Sequence, residues 1–142
     1  MELKMLRADL AEFIDQAFPQ VAQDFEVEDV SPYEITVRLK VADRHLRPGD
    51  TVSGPSMFGL ADVSVYLAVL AMIGPEALAV TTNCSIDFMR KPAAGRDVIA
   101  HARLNKLGRQ LAVGQVLLYS EGQDQPVAQA ALTYSIPPVT PG

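Results

Sequence analysis

The sequence predicts an α+β fold in which an antiparallel sheet curls around one long central helix. Segment 57–73 contains a single charged residue, Asp62, and is otherwise apolar or small, so a helix over this segment has to be enclosed on most of its sides. Four strand-like segments follow, and the short connections between them predict antiparallel neighbours. A length of 142 residues suits one domain, and we expect 1–142 to fold as a single unit.

Hydrophobic periodicity predicts the elements on either side of the central helix. Apolar residues recur at helical spacing from Leu3 to Ala17, with Pro19 just beyond, which predicts an amphipathic helix within 1–18. Alternating apolar and polar residues, bounded by turn residues, predict strands elsewhere. In chain order, the predicted strands are 22–30, 33–41, 79–89, 97–106, 111–120 and 126–136.

The central helix is bounded by residues that favour a helix start and a helix end. Residues 45–52 are predicted to form a loop before it. Gly54 and Pro55 then suit the N-cap and the first helical position, because the fixed φ of proline is compatible with that position. The helix is predicted to end near Gly74. The tail 137–142, which contains three prolines, is expected to be frayed.

Composition excludes several functional classes. A net charge of −5 argues against a general binder of nucleic acid or of an anionic membrane. The single Cys84 excludes an internal disulfide framework, and one cysteine with two histidines cannot form a cysteine- and histidine-rich zinc site. Because the N-terminus is charged and the apolar segment 57–73 is short for a membrane span, we expect a cytoplasmic protein. His45 and His101 are expected in loops or on the surface.

Asp62 is the candidate functional residue that the pattern singles out. Burying a carboxylate costs several kcal/mol unless hydrogen bonds or charged partners compensate. The free backbone N–H groups and the dipole of the helix start lie about two turns upstream, and both favour negative charge. A carboxylate beside such a helix terminus is typical of a hydrolytic site. The structural alternative is an acid satisfied by backbone groups or by Tyr66, one turn further along the helix.

From Arg47 to Pro137 the sequence resembles the hotdog-fold acyl-CoA thioesterases, in particular their phenylacetate-degradation (PaaI-like) branch. The resemblance rests on the element order and on four segments in sequence, SGPSMFGLAD, SIDFMRKPAAGRD, KLGRQLA and VAQAALTYSIP. It implies a hotdog fold, in which the sheet wraps the central helix. It also implies an enzyme that hydrolyses the thioester of a small or medium acyl-CoA, aromatic acyl groups included. No cofactor is implied, since coenzyme A is part of the substrate.

The resemblance also implies the catalytic groups. The family carries His-Gly-Gly at the helix start and an acid nine residues after the histidine; here Ser53 replaces the histidine, Gly54 keeps the first glycine, Pro55 replaces the second, and Asp62 keeps the acid. The Gly54 N–H would polarise the thioester carbonyl, and Asp62 would act as nucleophile or as general base for water, so that both groups come from a single helix. Arg47 stands where relatives often have an asparagine that places the carbonyl or the water.

The family further implies homodimers, and dimers of dimers, with active sites shared between subunits. Strand 79–89 would pair with its symmetry mate, and Thr81 falls where relatives place a serine or threonine that reaches the acid of the partner. The predicted alternation places Thr81 and Asn83 on the face away from the core, where a partner could use them. The residues predicted to face the core are Val80, Thr82, Cys84, Ile86 and Phe88.

Four cations in predicted loops form a candidate patch for the phosphates of coenzyme A, namely Arg90, Lys91, Lys106 and Arg109. Arginine forks suit phosphate oxygens, although solvated surface charge is an equally simple interpretation. Together with these cations, Ser53, Arg47, Tyr66 and Asn83 complete the set of candidate substrate-binding residues.

Two other functions compete with thioester hydrolysis. A hotdog dehydratase or hydratase would need a histidine in the region of the central helix, and none lies between Gly54 and Gly74. A non-catalytic hotdog protein that binds acyl-CoA or a protein partner is compatible with the replacements at Ser53, Pro55 and Arg47.

Overall fold

A computed structural model of the chain describes residues 2–138. Its elements, in order, are α1 (Arg7–Ala17), β1 (Phe25–Ser31), β2 (Glu34–Leu39), β3 (Leu46–Arg47), β4 (Thr51–Val52), α2 (Gly54–Ile73), β5 (Val80–Phe88), β6 (Val98–Leu107), β7 (Leu111–Ser120) and β8 (Ala128–Ser135). Short 3₁₀ turns cover Ala22–Asp24 and Asp43–His45. The last four residues of the predicted tail, 139–142, lie outside the described residues.

The main sheet has six strands in the order β1-β2-β6-β7-β8-β5, and every neighbouring pair is antiparallel. It wraps around α2, which contacts all six strands and packs on the core side of the sheet. Helix α1 lies against β1 at the opposite edge of the sheet from β5. The predicted α+β fold, a sheet wrapped around one long helix with an extra N-terminal helix, is therefore confirmed.

The predicted meander of the last four strands is wrong for β5. Only β6, β7 and β8 follow one another as neighbours, whereas β5 pairs with β8 at the edge of the sheet. The physical reason is that β6 is hydrogen-bonded by β2 on one side and by β7 on the other, so it has no free edge for β5. The connection 89–97 therefore crosses the sheet instead of forming a hairpin.

Helix α2 is the core of the fold because it is apolar on nearly every side. Its buried residues include Leu60, Leu67 and Leu70, none of which has measurable exposure. The buried hydroxyl of Ser64 donates to the carbonyl of Leu60 at 2.7 Å, which satisfies it within the helix. By length and composition alone this helix could cross a membrane, but 67% of its most apolar window is covered by the rest of the fold.

The start of α2 lies one residue earlier than predicted. Ser53, not Gly54, is the N-cap, and its Oγ accepts a hydrogen bond from the Ser56 N–H at 3.3 Å. A serine hydroxyl can accept from a first-turn amide and glycine has no side chain to do so, which explains the shift. Gly54 is consequently the first helical residue, and its N–H is one of the first-turn amides that have no acceptor within the helix.

His45 lies in the connection between β2 and β3, as one of the two predicted alternatives had it, but it is buried and not on the surface. Its ring accepts from the Ala42 N–H at 2.9 Å and lies 3.3 Å from an Asp24 oxygen, while its carbonyl accepts from the Ser53 N–H at 2.8 Å. Burial, and then the positive charge of Arg44, lower the pKa of His45. These contacts attach the segment before α2 to the 3₁₀ turn that ends at Asp24 and hold the residue that caps α2.

Candidate active site

Asp62 lies in a cleft of about 460 Å³ between α1, α2 and the first residues of β5, which we call the acid cleft. Its polar side chains are Asp62, Tyr66, Thr81 and Tyr134. The rest of the lining is largely apolar and includes Ile14, Phe18, Val21, Phe25, Val63 and Ala79. The cleft therefore combines one carboxylate with a surface suited to a hydrocarbon or aromatic group.

Two hydroxyl groups hold the Asp62 carboxylate. The hydroxyls of Thr81 and Tyr134 each lie 2.5 Å from Oδ1 of Asp62, the length of a charge-assisted O–H···O⁻ hydrogen bond. The Tyr134 hydroxyl is also 2.9 Å from the backbone carbonyl oxygen of Asp62. These donors explain how an otherwise apolar helix carries an acid, because they replace part of the water that the half-buried carboxylate loses.

The contact between Thr81 and Asp62 lies within one chain, so the predicted reach of Thr81 to the acid of a partner is wrong. The pairing register between β5 and β8 changes by one residue between Thr81 and Asn83. The extra residue, Thr82, forms a bulge opposite β8. The bulge turns Thr81 to the helix side of the sheet and leaves Val80 55% exposed. The prediction assumed that side chains alternate strictly between the two faces of β5. It therefore placed Thr81 on the wrong face, because a slip of one residue exchanges the two faces of a strand.

The remaining β5 side chains follow the prediction in part. Cys84 and Ile86 pack against the core, as expected, and Phe88 is on the same face although it is 52% exposed. Burial, and then the charge of Asp62, raise the pKa of Cys84, so its thiol is not activated. Asn83 is exposed on the outer face and lies away from the acid cleft.

The two tyrosines of the cleft remain protonated at neutral pH. Burial, followed by its hydrogen bond to Asp62, raises the pKa of Tyr134, so its hydroxyl is a donor over the whole ordinary pH range. Burial, and then the charge of Glu76, raise the pKa of Tyr66 to about 12. Tyr66 donates to the Ala77 carbonyl at 3.3 Å and packs its ring 6.0 Å from that of Tyr134. Tyr66 is thus a wall of the cleft without contact to the acid.

Gly54 lies in a second concavity of about 440 Å³, which we call the glycine groove. A Cβ on Gly54 would come within 3.3 Å of the Phe88 ring, so the residue faces the end of β5. The groove also contains Arg47, Arg90 and Lys91, three exposed cations. It therefore combines a helix-start amide with local positive charge on an acidic protein.

One chain does not bring the predicted catalytic groups together. Asp62 follows Gly54 by eight residues of α2, a separation of about 12 Å along the helix axis. Within one chain the two groups therefore line different concavities, Asp62 the acid cleft and Gly54 the glycine groove. Ser53 is occupied as the helix cap, with its hydroxyl also 3.0 Å from that of Ser56.

The four predicted phosphate-binding cations also form two separate pairs. Arg90 and Lys91 follow the last residue of β5, whereas Lys106 and Arg109 lie near the β6–β7 turn, at the end of the sheet where β5 begins. A strand of the length of β5 spans about 26 Å, so about this distance separates the two pairs of cations. Within residues 2–138 no group of three His, Cys, Asp or Glu side chains is arranged to hold a metal ion.

Tyr134 is the site residue that sequence reasoning missed. A signal for it was present, because Ala128, Ala130, Leu132 and Tyr134 alternate along β8 and all four are buried on the face towards α2. A tyrosine at the end of such a face needs a partner for its hydroxyl. Identifying Asp62 as that partner required the pairing of Tyr134 with Thr81 across two strands.

A model of the thioesterase superfamily matches residues 49–127, which include α2 and its helix start, β5, β6 and β7. The chain belongs to the thioesterase superfamily. The matched segment spans both Gly54 and Asp62, the two groups around which the concavities are built.

Individual relatives agree with this membership. A crystal structure of a putative thioesterase from Silicibacter sp. TM1040 is 59% identical, with a TM-score of 0.92 over 97% of this chain and 96% of that one. A single-residue mutant of the phenylacetic acid degradation protein PaaI from Thermus thermophilus is 31% identical, with a TM-score of 0.72 over 84% of this chain and 99% of that one. A putative esterase of Pseudomonas aeruginosa is 28% identical over 104 residues, which are 73% of this chain and 76% of the relative.

Proposed function

We propose that the chain is an acyl-CoA thioesterase of the PaaI-like branch that hydrolyses a small or medium acyl-CoA, aromatic acyl groups included. The observation that carries this proposal is the Asp62 carboxylate, held by two hydroxyls at 2.5 Å in the wall of an otherwise largely apolar cleft. The branch assignment is supported by the 31% identity to the Thermus PaaI mutant over nearly the whole of that protein.

The chemistry needs a nucleophile and a donor to the carbonyl oxygen. Asp62 either takes a proton from a water molecule that attacks the thioester carbon or attacks that carbon directly. In both cases negative charge develops on the carbonyl oxygen, where the Gly54 N–H donates a hydrogen bond. The C–S bond then breaks, coenzyme A leaves as a thiolate that takes up a proton, and the free carboxylic acid is released, after hydrolysis of an anhydride in the second case.

The two concavities divide the substrate between them. The acid cleft takes the acyl group, because its lining is mainly aliphatic and aromatic and its volume suits a short chain or a single ring. The glycine groove takes the coenzyme A end, where Arg47, Arg90 and Lys91 supply cations for the phosphates. The scissile carbonyl then lies between Asp62 and Gly54.

A second copy of the chain would join the two concavities. Among residues 2–138 no strand pairs with the outer edge of β5, and the two ends of β5 lie beside different groups, Thr81 with Asp62 at its start and Phe88 with Gly54 at its end. In an antiparallel pair of β5 strands the start of one strand lies beside the end of the other. The acid cleft of one copy would therefore meet the glycine groove of its partner. A homodimer of this kind also covers an edge that would otherwise be unprotected.

The direct test is thiol release from a panel of aliphatic and aromatic acyl-CoAs. Wild-type protein should turn over at least one of them, and Asp62→Asn should lower kcat by at least ~10²-fold, because the amide keeps the size of the side chain and loses the base or nucleophile. Asp124→Asn, the same change at an exposed loop residue, is the matched control and should keep wild-type turnover. Near wild-type kcat in Asp62→Asn would refute the assigned role.

One observation favours a second function, a protein that binds acyl-CoA without hydrolysing it. Pro55 occupies the second helical position and has no N–H, so the helix start offers one donor fewer than a glycine there would. Calorimetric binding of an acyl-CoA together with no thiol release across the panel would support that second function instead of the first.

A further inference from the structure

The two oxygens of the Asp62 carboxylate have different surroundings. Both hydroxyl donors, from Thr81 and Tyr134, converge on Oδ1, and none of the side-chain hydrogen bonds within residues 2–138 involves Oδ2. The donors come from residues that face each other across the β5–β8 ladder. One oxygen is therefore fixed by the sheet, while the other remains available to a molecule in the acid cleft.

Tyr134 is the more constrained of the two donors. It is 3% exposed, and its ring is packed beside that of Tyr66. The hydroxyl lies 2.5 Å from Oδ1 of Asp62 and 2.9 Å from the backbone carbonyl oxygen of the same residue. It therefore fixes the position of the carboxylate relative to the helix that carries it. Such a hydroxyl limits rotation of the carboxylate about its own bonds.

We propose that Tyr134 is a positioning residue that holds Oδ1 of Asp62 and thereby directs Oδ2 at the water or the thioester carbon. This inference rests on the proposed thioesterase function. It assigns the reacting oxygen, which neither the sequence nor the superfamily match identifies. Tyr134 itself makes no bond to the substrate and acts only through Asp62.

A positioning role has a kinetic consequence that a packing role lacks. When the hydroxyl is removed, the carboxylate remains in the cleft but samples orientations that do not reach the reacting atom. Misplacement of a reacting group by about 1 Å can cost about 10²-fold in rate. We therefore expect Tyr134→Phe to lower kcat by roughly 10- to 100-fold with little change in KM.

The experiment compares two Tyr→Phe variants on a substrate that the wild type hydrolyses. Tyr134→Phe removes the hydroxyl that contacts Asp62, and Tyr119→Phe removes the hydroxyl of a β7 tyrosine whose ring packs against His101, outside the acid cleft. Both keep the aromatic ring. Kinetics are measured at a temperature at which thermal unfolding curves show that both variants are folded. The expected result is a fall in kcat for Tyr134→Phe alone.

A double-variant cycle separates positioning from general damage to the cleft. In the Asp62→Asn background, Tyr134→Phe should have no further effect on kcat, because the group that it positions is gone. Wild-type kcat in Tyr134→Phe, an equal loss in Tyr119→Phe, or a further loss in the Asp62→Asn background would each overturn the inference and leave the proposed function intact. A wild-type chain that hydrolyses no thioester would contradict the proposed function, and the positioning role with it.

Discussion

The proposed chemistry depends on two polar groups of an apolar helix. Asp62 is stabilised by hydroxyls supplied from the sheet, whereas the Gly54 N–H is available because the first turn of any helix lacks acceptors for its amides. The sequence pattern predicted Asp62 as a functional residue, whereas Gly54 was implied by the family resemblance. Neither identified Tyr134, since the pattern shows that this tyrosine is buried and not which oxygen its hydroxyl contacts.

Two substitutions at Gly54 isolate the role of its N–H. Gly54→Pro removes the N–H. The backbone should accept a proline at this first helical position, because Ser53 before it already has the extended conformation that a residue before proline prefers, with φ −74° and ψ 157°. Gly54→Ala also adds a Cβ, 3.3 Å from the exposed ring of Phe88, and keeps the N–H. Loss of one donor to a developing oxyanion costs about 10²–10³ in kcat.

We expect that loss in Gly54→Pro and activity within a few-fold of wild type in Gly54→Ala, measured by steady-state thiol release. Equal kcat values for the two variants would show that the Gly54 amide does not contact the substrate in the transition state.

At the scale of elements, strand β5 connects fold and function. Its bulge at Thr82 turns Thr81 towards Asp62, and its position at the sheet edge leaves it free to pair with a second copy. Neither property follows from local sequence. Bulges depend on the partner strand, and the choice of β8 over β6 depends on which edges the rest of the sheet has already occupied.

The cations around the glycine groove give a prediction at this scale. Reversal of the pair Arg90 and Lys91 to glutamate should raise KM for an acyl-CoA by about tenfold and weaken its dependence on salt, with a smaller effect on kcat. The physical reason is that hydrogen bonds from charged donors to phosphate oxygens are lost and repulsion replaces them. The same variant should hydrolyse the acyl thioester of N-acetylcysteamine, which has no phosphate, with unchanged KM.

Reversal of Lys106 and Arg109 is the comparison, because this pair lies at the other end of the sheet in the same chain. A KM that responds to neither reversal would identify all four residues as solvated surface charge. Equal responses would show that both pairs contact the phosphates of one substrate. An assembly of two or more copies of the chain could bring the pairs together in this way.

At the scale of the whole molecule, the residues alone predicted the fold, whereas a site shared between subunits was implied only by the family resemblance. An enclosed apolar helix with strands on either side of it in the sequence leaves few architectures, and the confirmed hotdog fold is one of them. Gly54 and Asp62 come from one helix, yet eight residues keep them about 12 Å apart along its axis. In the proposed assembly, one catalytic unit therefore takes its acid from one chain and its amide from the other.

The most direct test of this composite thioesterase site uses mixed assemblies purified with two different affinity tags. A chain with Asp62→Asn is co-expressed with a chain carrying Gly54→Pro, so that one of the two sites per dimer receives an intact acid cleft and an intact glycine groove. In the reciprocal assembly a wild-type chain is paired with a chain that carries both substitutions, which places one defect in each composite site. Composite sites should give about half of wild-type thiol release per dimer in the first assembly and almost none in the second. An inactive first assembly together with a half-active second one would show that each chain works alone and would contradict composite sites.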